Sequence, residues 1–387
     1  MDKHDTLRTG FGEFQLDRLP ATPDGALRAW NAADELLLEQ LQTQGLPRAD
    51  ERVLVVNDEF GALACALHAY KVQSWSDSLL AHLATAHNFR RNQLDEQALP
   101  ALVRSTAQPE GRIDIALLKV PKTLALLQQQ LQQLKPLLHA DSVVIAAAMT
   151  KHLPGAAIQC FEDTIGRTHT SLAKKKARLI FSQVEPRAVA AVPAARFEVP
   201  DLQLSLTAQA NVFSKDKLDI GARFMLAQFA RLPEASRVID LGCGNGVLGI
   251  VAQRQLPHAE LHFVDESYMA VASAQDNYQA AFPQRSSDQR APGQPQAQFW
   301  NSNGLQQVAV DDVDLILCNP PFHQQHSTGD QIAWQMLKQG RRALCRGGQF
   351  WLVGNRHLGY HTKMKKLFGN CTTIAAERKF VVLSATA

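Results

Sequence analysis

The residues Asn319-Pro320-Pro321-Phe322 follow directly after an apolar run, 313–318, whose composition is typical of a β-strand. A guanine, adenine or amide nitrogen is a poor nucleophile because its lone pair is delocalised, so it must be held in line with an electrophile. The side-chain oxygen of Asn319 and the carbonyl of Pro320 can each accept one N–H of such an amine. The two prolines stiffen the loop, and Phe322 offers a ring for base stacking, worth about 1–3 kcal/mol. We predict that these four residues form the catalytic motif of a transfer to a planar nitrogen.

A second motif, the glycine loop, closes the apolar run 237–241. Its glycines permit positive φ and close approach of a ligand to the main chain, and the helix expected after it directs free N–H groups at that ligand. Asp240 lies at the carboxyl end of the strand, where open α/β sheets bind ligands. We expect it to face the methionine end of a nucleoside cofactor. The predicted cofactor residues of this loop are Asp240, Gly242, Cys243, Gly244, Asn245 and Gly246.

Further cofactor contacts are expected after the next strands. Asp265 follows the apolar run 261–264 and can accept both ribose hydroxyls. Either Asn301 or Asn303 can hydrogen-bond an adenine amino group, although Asn-Gly at 303–304 also fits a plain turn. The segment 213–221 can close over the methionine end, or it can cap a helix at Ser214 or Asp216. The remaining predicted cofactor residues are therefore Asp265, Glu266, Asn301, Asn303 and Phe213.

The glycine loop alone leaves two cofactor classes open. Gly244-x-Gly246-x-x-Gly249, with Asp265 19 residues after Gly246, also fits the fingerprint of nicotinamide enzymes. The Asn-Pro-Pro-Phe motif downstream favours methyl transfer from S-adenosylmethionine to an exocyclic or amide nitrogen. This chemistry needs no metal, and we expect no metal site.

Composition and charge limit the class of protein. A chain of 387 residues, 45% hydrophobic and 20% charged, predicts two globular domains. Six cysteines without a CxxC pair, no signal-peptide core and no long apolar run lead us to expect a cytoplasmic protein without a membrane span. Residues 1–190 hold 21 basic and 21 acidic side chains, whereas 338–387 hold ten basic and one acidic. That excess suits a polyanionic partner, although a solvated helix face can also carry it.

The chain contains an internal repeat. Residues 52–63 match 237–248, and 113–122 match 313–322 in the same order. In the first copy Asn57, Asp58, Glu59 and Phe60 replace the glycine loop, and Lys119 and Lys122 replace Asn319 and Phe322. The apolar strand residues survive while the chemical residues are lost. We therefore interpret the first half as a methyltransferase-like domain that no longer binds a cofactor.

The alternation of elements predicts the fold. In the second half, strand-like runs at 237–241, 260–264, 313–318 and 349–354 alternate with helical patterns such as 247–256 and 267–282. This alternation is typical of a mostly parallel sheet with helices on both faces. We predict an α/β fold of two tandem Rossmann-like class I methyltransferase domains, a degenerate one over 1–188 and a catalytic one over 189–387. Residues 186–195 have a linker composition, and 284–296 are expected to form a loop.

Over essentially its whole length, the chain resembles the bacterial ribosomal RNA guanine-N2 methyltransferases. The resemblance rests on the tandem domains and on the motifs Asn-Val-Phe-Ser (211–214), Leu-Asp-Ile-Gly (218–221), Asp-Leu-Gly-Cys-Gly-Asn-Gly (240–246) and Asn-Pro-Pro-Phe-His (319–323). The segment 354–361 and the lysines after it are similar to the large-subunit enzymes.

The resemblance implies N2-methylation of one guanine in 23S rRNA, with S-adenosylmethionine as cofactor. It also implies that the first domain and the basic tail bind RNA. The candidate RNA-binding residues are Lys174, Lys175, Lys176, Arg356, His357, Lys363, Lys365 and Lys366. We expect a monomer, because the chain carries its own pseudo-dimer. The alternatives are a small-subunit (16S) rRNA methyltransferase, a protein glutamine or DNA amino methyltransferase, a nicotinamide oxidoreductase and a non-catalytic RNA-binding scaffold.

Overall fold

The computed structural model describes residues 5–21, 27–189, 193–283, 297–321 and 326–387. The chain divides into an N-terminal unit, Met1–Pro193, and a C-terminal unit, Ala194–Ala387. The roles predicted for 1–188 and 189–387 stay predictions. The loop expected at 284–296 lies outside the described residues.

The N-terminal unit is an α/β domain. Its strands are β1 (Thr6–Thr9), β2 (Gly12–Gln15), β3 (Arg52–Val56), β4 (Lys71–Ser76), β5 (Ala101–Arg104), β6 (Ile113–Lys119), β7 (Leu138–Met149), β8 (Thr168–Thr170) and β9 (Ala177–Ser182). Its helices are α1 (Ala32–Gln44), α2 (Ala62–Ala66), α3 (Leu79–Arg91), α4 (Leu124–Leu134) and α5 (Gly155–Thr164).

The C-terminal unit follows the same order of elements. Its strands are β10 (Ala195–Val199), β11 (Leu204–Ala208), β12 (Arg237–Leu241), β13 (Glu260–Asp265), β14 (Ala297–Asn301), β15 (Val313–Cys318), β16 (Leu344–Asn355), β17 (Thr372–Ala376) and β18 (Phe380–Thr386). Its helices are α6 (Ile220–Leu226), α7 (Val247–Gln255), α8 (Tyr268–Ala281), α9 (His326–Ala343) and α10 (Tyr360–Phe368).

Each unit is built on a seven-stranded sheet of the same topology. The strand orders are β5-β4-β3-β6-β7-β9-β8 and β14-β13-β12-β15-β16-β18-β17. The first five strands in each order are parallel and the last two pair antiparallel. Successive strand residues point to opposite faces, and accordingly Val238 and Ile239 belong to two different apolar clusters. The predicted fold class is confirmed.

The repeat extends to hydrogen bonds that fix the loops. In the N-terminal unit the side chain of Asn88 donates to the carbonyl oxygen of Phe60 at 2.8 Å. In the C-terminal unit Asn277 donates to the carbonyl oxygen of Asn245 at 2.9 Å. Asn88 lies on α3 and Asn277 on α8, which are equivalent helices. The same buried amide therefore stabilises the same loop in each unit.

Two features of the described residues bear on other classes of protein. Within these ranges, no helix is long and apolar enough to cross a membrane. The same residues contain no group of three His, Cys, Asp or Glu side chains that could hold a metal ion.

Candidate active site

The glycine loop turns the chain from β12 into α7. Gly242, Gly244 and Gly246 have φ values of 74°, 54° and 80°, in the left-handed region that favours glycine. A Cβ on Gly246 would lie 3.0 Å from the Cα of Ala274, so close helix packing requires this glycine. A Cβ on Gly244 would meet nothing within 4 Å. The main chain at Gly244 therefore borders open space that a ligand can enter.

Asp240 lies beneath this loop and is completely buried. One of its carboxylate oxygens accepts the N–H of Gly249 at 2.8 Å, and the other has no hydrogen-bond partner among the described residues. Burial raises the pKa of Asp240 to about 8; the Gly249 N–H opposes this rise and the charge of Asp265 adds to it. Its predicted role at the methionine end of the cofactor stays a prediction, since its observed partner is the start of α7.

Asp265 joins the glycine loop to helix α8. Its two carboxylate oxygens accept the N–H groups of Gly244 and Ser267, each at 3.0 Å. Its predicted contact with the ribose hydroxyls stays a prediction. Asn301 is its register partner on β14 and donates to the carbonyl oxygen of Ser267 at 3.2 Å.

Asn303 is tied more firmly than Asn301. Its amide nitrogen donates to Gln306 at 3.0 Å and its amide oxygen accepts from Gln335 at 3.1 Å. The structure thus brings Asn301, rather than Asn303, next to Asp265. The adenine contact itself stays a prediction for both residues.

The other predicted cofactor residues differ in accessibility. Phe213 is 55% exposed and Glu266 is half-buried. Asn245 is buried and its side-chain oxygen accepts the N–H of Val247 at 3.3 Å, which stabilises the loop. Burial, with the charges of nearby aspartates, raises the pKa of the Cys243 thiol well above its ordinary value. This thiol therefore stays protonated and is a packing group.

The Asn-Pro-Pro motif lies beside the glycine loop. The carbonyl oxygen of Asn319 is 3.9 Å from the position of a Cβ built on Gly242. Pro320 is buried and Pro321 is exposed, while Phe322 lies outside the described residues. The two motifs therefore converge at the carboxyl edge of the sheet, because β12 and β15 are neighbouring parallel strands.

Asn319 has a partner, Asp219, that was not among the predicted site residues. The side-chain nitrogen of Asn319 donates to Asp219 at 3.1 Å, and its side-chain oxygen is buried with no partner among the described residues. Asp219 also caps α6 by accepting the N–H of Ala222 at 2.9 Å. The caps predicted at Ser214 or Asp216 are wrong, because helix α6 begins later, at Ile220. The motif Leu-Asp-Ile-Gly at 218–221 was the available signal.

In the N-terminal unit, side chains occupy the equivalent loop. Asn57 keeps a positive φ of 61° at the position of Gly242. Asp58 is buried and accepts the first N–H groups of α2, those of Ala62, Leu63 and Ala64, at 2.9–3.0 Å. The helix terminus that could face a ligand is thus capped by the chain itself.

A buried ion pair replaces the Asn-Pro-Pro chemistry in this unit. The ammonium of Lys119 lies 2.8 Å from the carboxylate of Asp34. Burial acts to lower the pKa of Lys119, but the charges of Asp34, Glu59 and Asp58 outweigh it and raise the pKa. Burial, reinforced by the charge of Asp34, raises the pKa of Asp58 to about 6.

Gly61 survives in the N-terminal unit for a reason unrelated to ligands. A Cβ on Gly61 would lie 2.7 Å from the Cα of Thr85, as one on Gly246 would approach Ala274. The helix–helix contact, which both units share, requires glycine at this position.

Both halves of the chain match known families. Residues 4–186 match the RLMG N-terminal domain, and residues 203–384 match the methyltransferase small domain. The chain is 48% identical over 379 residues to ribosomal RNA large subunit methyltransferase G of Stutzerimonas stutzeri, covering 97% of this chain and 98% of that protein. The protein of the same name from Yersinia pestis (strain Pestoides F) is 44% identical over 382 residues, which cover 98% of this chain and 93% of that protein. The chain belongs to the ribosomal RNA large subunit methyltransferase G family.

A solved structure supports the fold of this methyltransferase G family member. The T. thermophilus 16S rRNA N2 G1207 methyltransferase, in complex with AdoMet and guanosine, aligns with a TM-score of 0.77 at 20% identity. The alignment covers 98% of this chain and 97% of that chain. At this identity the likeness establishes the shared fold. The resemblance drawn from the sequence to large-subunit rRNA methyltransferases is confirmed by the family match.

The basic residues predicted to bind RNA in this family member have different surroundings. Lys174 contacts Glu39 at 2.5 Å and Lys175 contacts Glu35 at 2.6 Å, so helix α1 partly neutralises them. In the C-terminal unit most of the predicted RNA-binding side chains are exposed, and Lys363 is partly buried. They are Arg356, His357, Lys363, Lys365 and Lys366.

Proposed function

We propose that this methyltransferase transfers the methyl group of S-adenosylmethionine to the exocyclic N2 of one guanine in 23S rRNA. Membership of the large-subunit family supports the class of RNA. The observation that carries the choice of an amine is the buried side-chain oxygen of Asn319, which lacks a partner among the described residues and lies beside the glycine loop.

The residues present fit the cofactor. The open space at Gly244 admits a ligand to the main chain. Asp265, a half-buried residue whose carboxylate accepts the N–H of Gly244, would contact the ribose hydroxyls. When bound, S-adenosylmethionine supplies an electrophilic methyl group on a positively charged sulfur.

The described residues act on the amine mainly by orientation. The oxygen of Asn319 and the carbonyl of Pro320 each accept one N–H, which turns the nitrogen lone pair toward the methyl group. Both acceptors are neutral oxygens, so they stabilise positive charge on the nitrogen without removing its proton, which passes to solvent. Phe322 supplies the stacking face for the base. A paired guanine must first be extruded, at a cost of a few kcal/mol.

We infer that the basic residues of the C-terminal unit contact RNA phosphates. Lys365 and Lys366 are exposed on helix α10, which starts just after the carboxyl end of β16. Helix α10 runs away from that edge, which also carries Asn319, so Lys365 and Lys366 would contact phosphates at some distance along the RNA from the target nucleotide. Binding by Lys174 and Lys175 requires the loss of their ion pairs with Glu39 and Glu35, whereas Lys176 is exposed.

The test is labelled-methyl transfer to total rRNA, followed by separation of the subunit RNAs and nucleoside analysis. We expect label on N2 of guanosine in the larger rRNA. Asn319→Ala should reduce turnover by about 100-fold or more, with unchanged affinity for S-adenosylmethionine and RNA. Asn370→Ala is the matched control, because Asn370 bonds only to Phe368 and Thr386 among the described residues. Label on another atom, or full activity of Asn319→Ala, would contradict the proposal.

A further inference from the structure

Asp219 connects the start of helix α6 to the catalytic loop. A single carboxylate oxygen accepts both the N–H of Ala222, at 2.9 Å, and the side-chain nitrogen of Asn319, at 3.1 Å. The two partners lie far apart in sequence from each other. Asp219 is therefore both a helix cap and a fixed contact for the amide of Asn319.

The chemistry of this contact decides which end of the amide is free. An ionised carboxylate can only accept hydrogen bonds, whereas an amide offers a donating nitrogen and an accepting oxygen. Asn319 must therefore turn its nitrogen toward Asp219, which leaves its oxygen as the free end. A reversed amide would bring two oxygens together at Asp219 and would present an N–H to the N–H of the substrate amine.

The neighbouring glycine supports the same conclusion. A Cβ on Gly221 would lie 3.0 Å from the carboxylate oxygen of Asp219 and 3.6 Å from the side-chain oxygen of Asn319. The backbone of α6 thus approaches both groups closely. A side chain at position 221 would crowd the carboxylate, so glycine here leaves the room in which Asp219 and Asn319 meet.

The N-terminal unit offers an independent parallel. There Lys119 stands at the position of Asn319 and donates to the carboxylate of Asp34 at 2.8 Å. Asp34 belongs to the first turn of α1, which precedes the first sheet strand β3 as α6 precedes β12. In both units, a carboxylate at the start of the preceding helix contacts the residue at the carboxyl end of the equivalent strand. That residue is Asn319 in the C-terminal unit and Lys119 in the N-terminal unit.

We propose that Asp219 is a positioning residue that holds the Asn319 amide with its oxygen toward the substrate amine. The proposal rests on the proposed function of Asn319 and adds to it a group that does not touch the substrate. Asp219 acts on the rate of methyl transfer through orientation, and it leaves cofactor and RNA affinity unchanged.

Two substitutions separate positioning from capping. Asp219→Ser keeps a good N-cap for Ala222, but its side chain is too short to reach Asn319. We expect kcat to fall about tenfold, as for the loss of one charge-assisted hydrogen bond, with KM for both substrates unchanged. Asp219→Asn keeps the reach and one accepting oxygen, and should recover most of the lost kcat. If capping were the whole role, the serine variant would match the wild type, and that result would overturn the proposal.

A double-mutant cycle distinguishes this proposal from the proposed function. If Asp219 acts through Asn319, adding Asp219→Ser to Asn319→Ala should reduce kcat no further. Additive losses would overturn the positioning role while leaving Asn319 catalytic. Full activity of Asn319→Ala alone would instead remove the proposed function. Circular dichroism gives the folded fraction of each variant, and kcat is compared per folded molecule, so a folding defect of Asp219→Ser is not counted as an additive loss.

Discussion

The ammonium of Lys119 and the carboxylate of Asp34 form a buried ion pair, 2.8 Å apart, in the N-terminal unit. The side chain of Asp34 is 0% exposed and that of Lys119 is 10% exposed. This pair stands where the C-terminal unit has the amide of Asn319. It makes the stability of the N-terminal unit depend on the charge of Lys119.

Replacing Lys119 by Met should therefore strongly destabilise the N-terminal unit. Removing one member of a buried pair leaves an uncompensated charge and typically costs about 3–5 kcal/mol. Urea denaturation measures the loss. The control is Lys174→Met, which removes the exposed pair with Glu39 and should cost less than about 1 kcal/mol. Equal effects of the two substitutions would contradict the prediction.

The glycine loop can be tested with two glycines of similar backbone. Gly244 and Gly369 have φ of 54° and 81°, and a Cβ on either meets nothing within 4 Å. Alanine at either position should impose similar strain, about 1–2 kcal/mol. Gly369 ends α10, which runs back from the carboxyl edge of the sheet. We therefore expect only Gly244→Ala to weaken the binding of S-adenosylmethionine, by about tenfold or more. If calorimetry gives equal affinities of both variants for S-adenosylmethionine, Gly244 is not part of the cofactor site.

Asp240 should make the stability of the ligand-free protein depend on pH. Its pKa is about 8 in the folded chain, against about 3.9 when unfolded. Between these values the folded state holds the extra proton, so the free energy of unfolding falls as pH rises from about 4 to 8, by up to ~1.4 kcal/mol per unit. Asp240→Asn should remove this contribution and leave the one from Asp58, whose pKa of about 6 adds a decline between about pH 4 and 6. Denaturation of both proteins across this range tests it, and an equally steep decline in the variant would argue against it.

Salt dependence tests the RNA-binding residues. If about five basic side chains contact phosphates, log affinity should fall against log salt with a slope of about −3.5. Alanine at Lys363, Lys365 and Lys366 should reduce that slope by about 2. Alanine at Lys174 and Lys175 should change it less, because these lysines already pair with acids. Fluorescence anisotropy with a labelled rRNA fragment measures both, and an unchanged slope in the triple variant would refute the C-terminal contacts.

Much of the fold could be predicted from local patterns. The apolar runs 237–241 and 313–318 coincide with β12 and β15, since a short buried strand bounded by glycine or proline leaves few alternatives. The parallel pairing of these strands explains why the two motifs meet at one edge of the sheet. Helix α8 begins within one residue of its predicted start because Ser267 caps it.

The contacts between distant residues could not be predicted. Ser214, Asp216 and Asp219 are all residue types that suit a helix cap. Of the three, Asp219 is the one that caps α6, and it also contacts Asn319, which is distant in sequence. Likewise, nothing near Lys119 in the sequence identifies Asp34 as its partner. These pairs depend on how helices α1 and α6 pack against the sheets, and a local sequence pattern does not indicate that packing.

Asp58 caps helix α2 with a carboxylate that is part of the chain. The N-terminal unit thus fills this helix terminus with its own hydrogen-bond acceptor, whereas the main chain at Gly244 in the C-terminal unit borders open space. Bound S-adenosylmethionine should therefore raise the free energy of unfolding of the C-terminal unit and leave that of the N-terminal unit unchanged. Starvation for methionine would loosen one half of the molecule and spare the other.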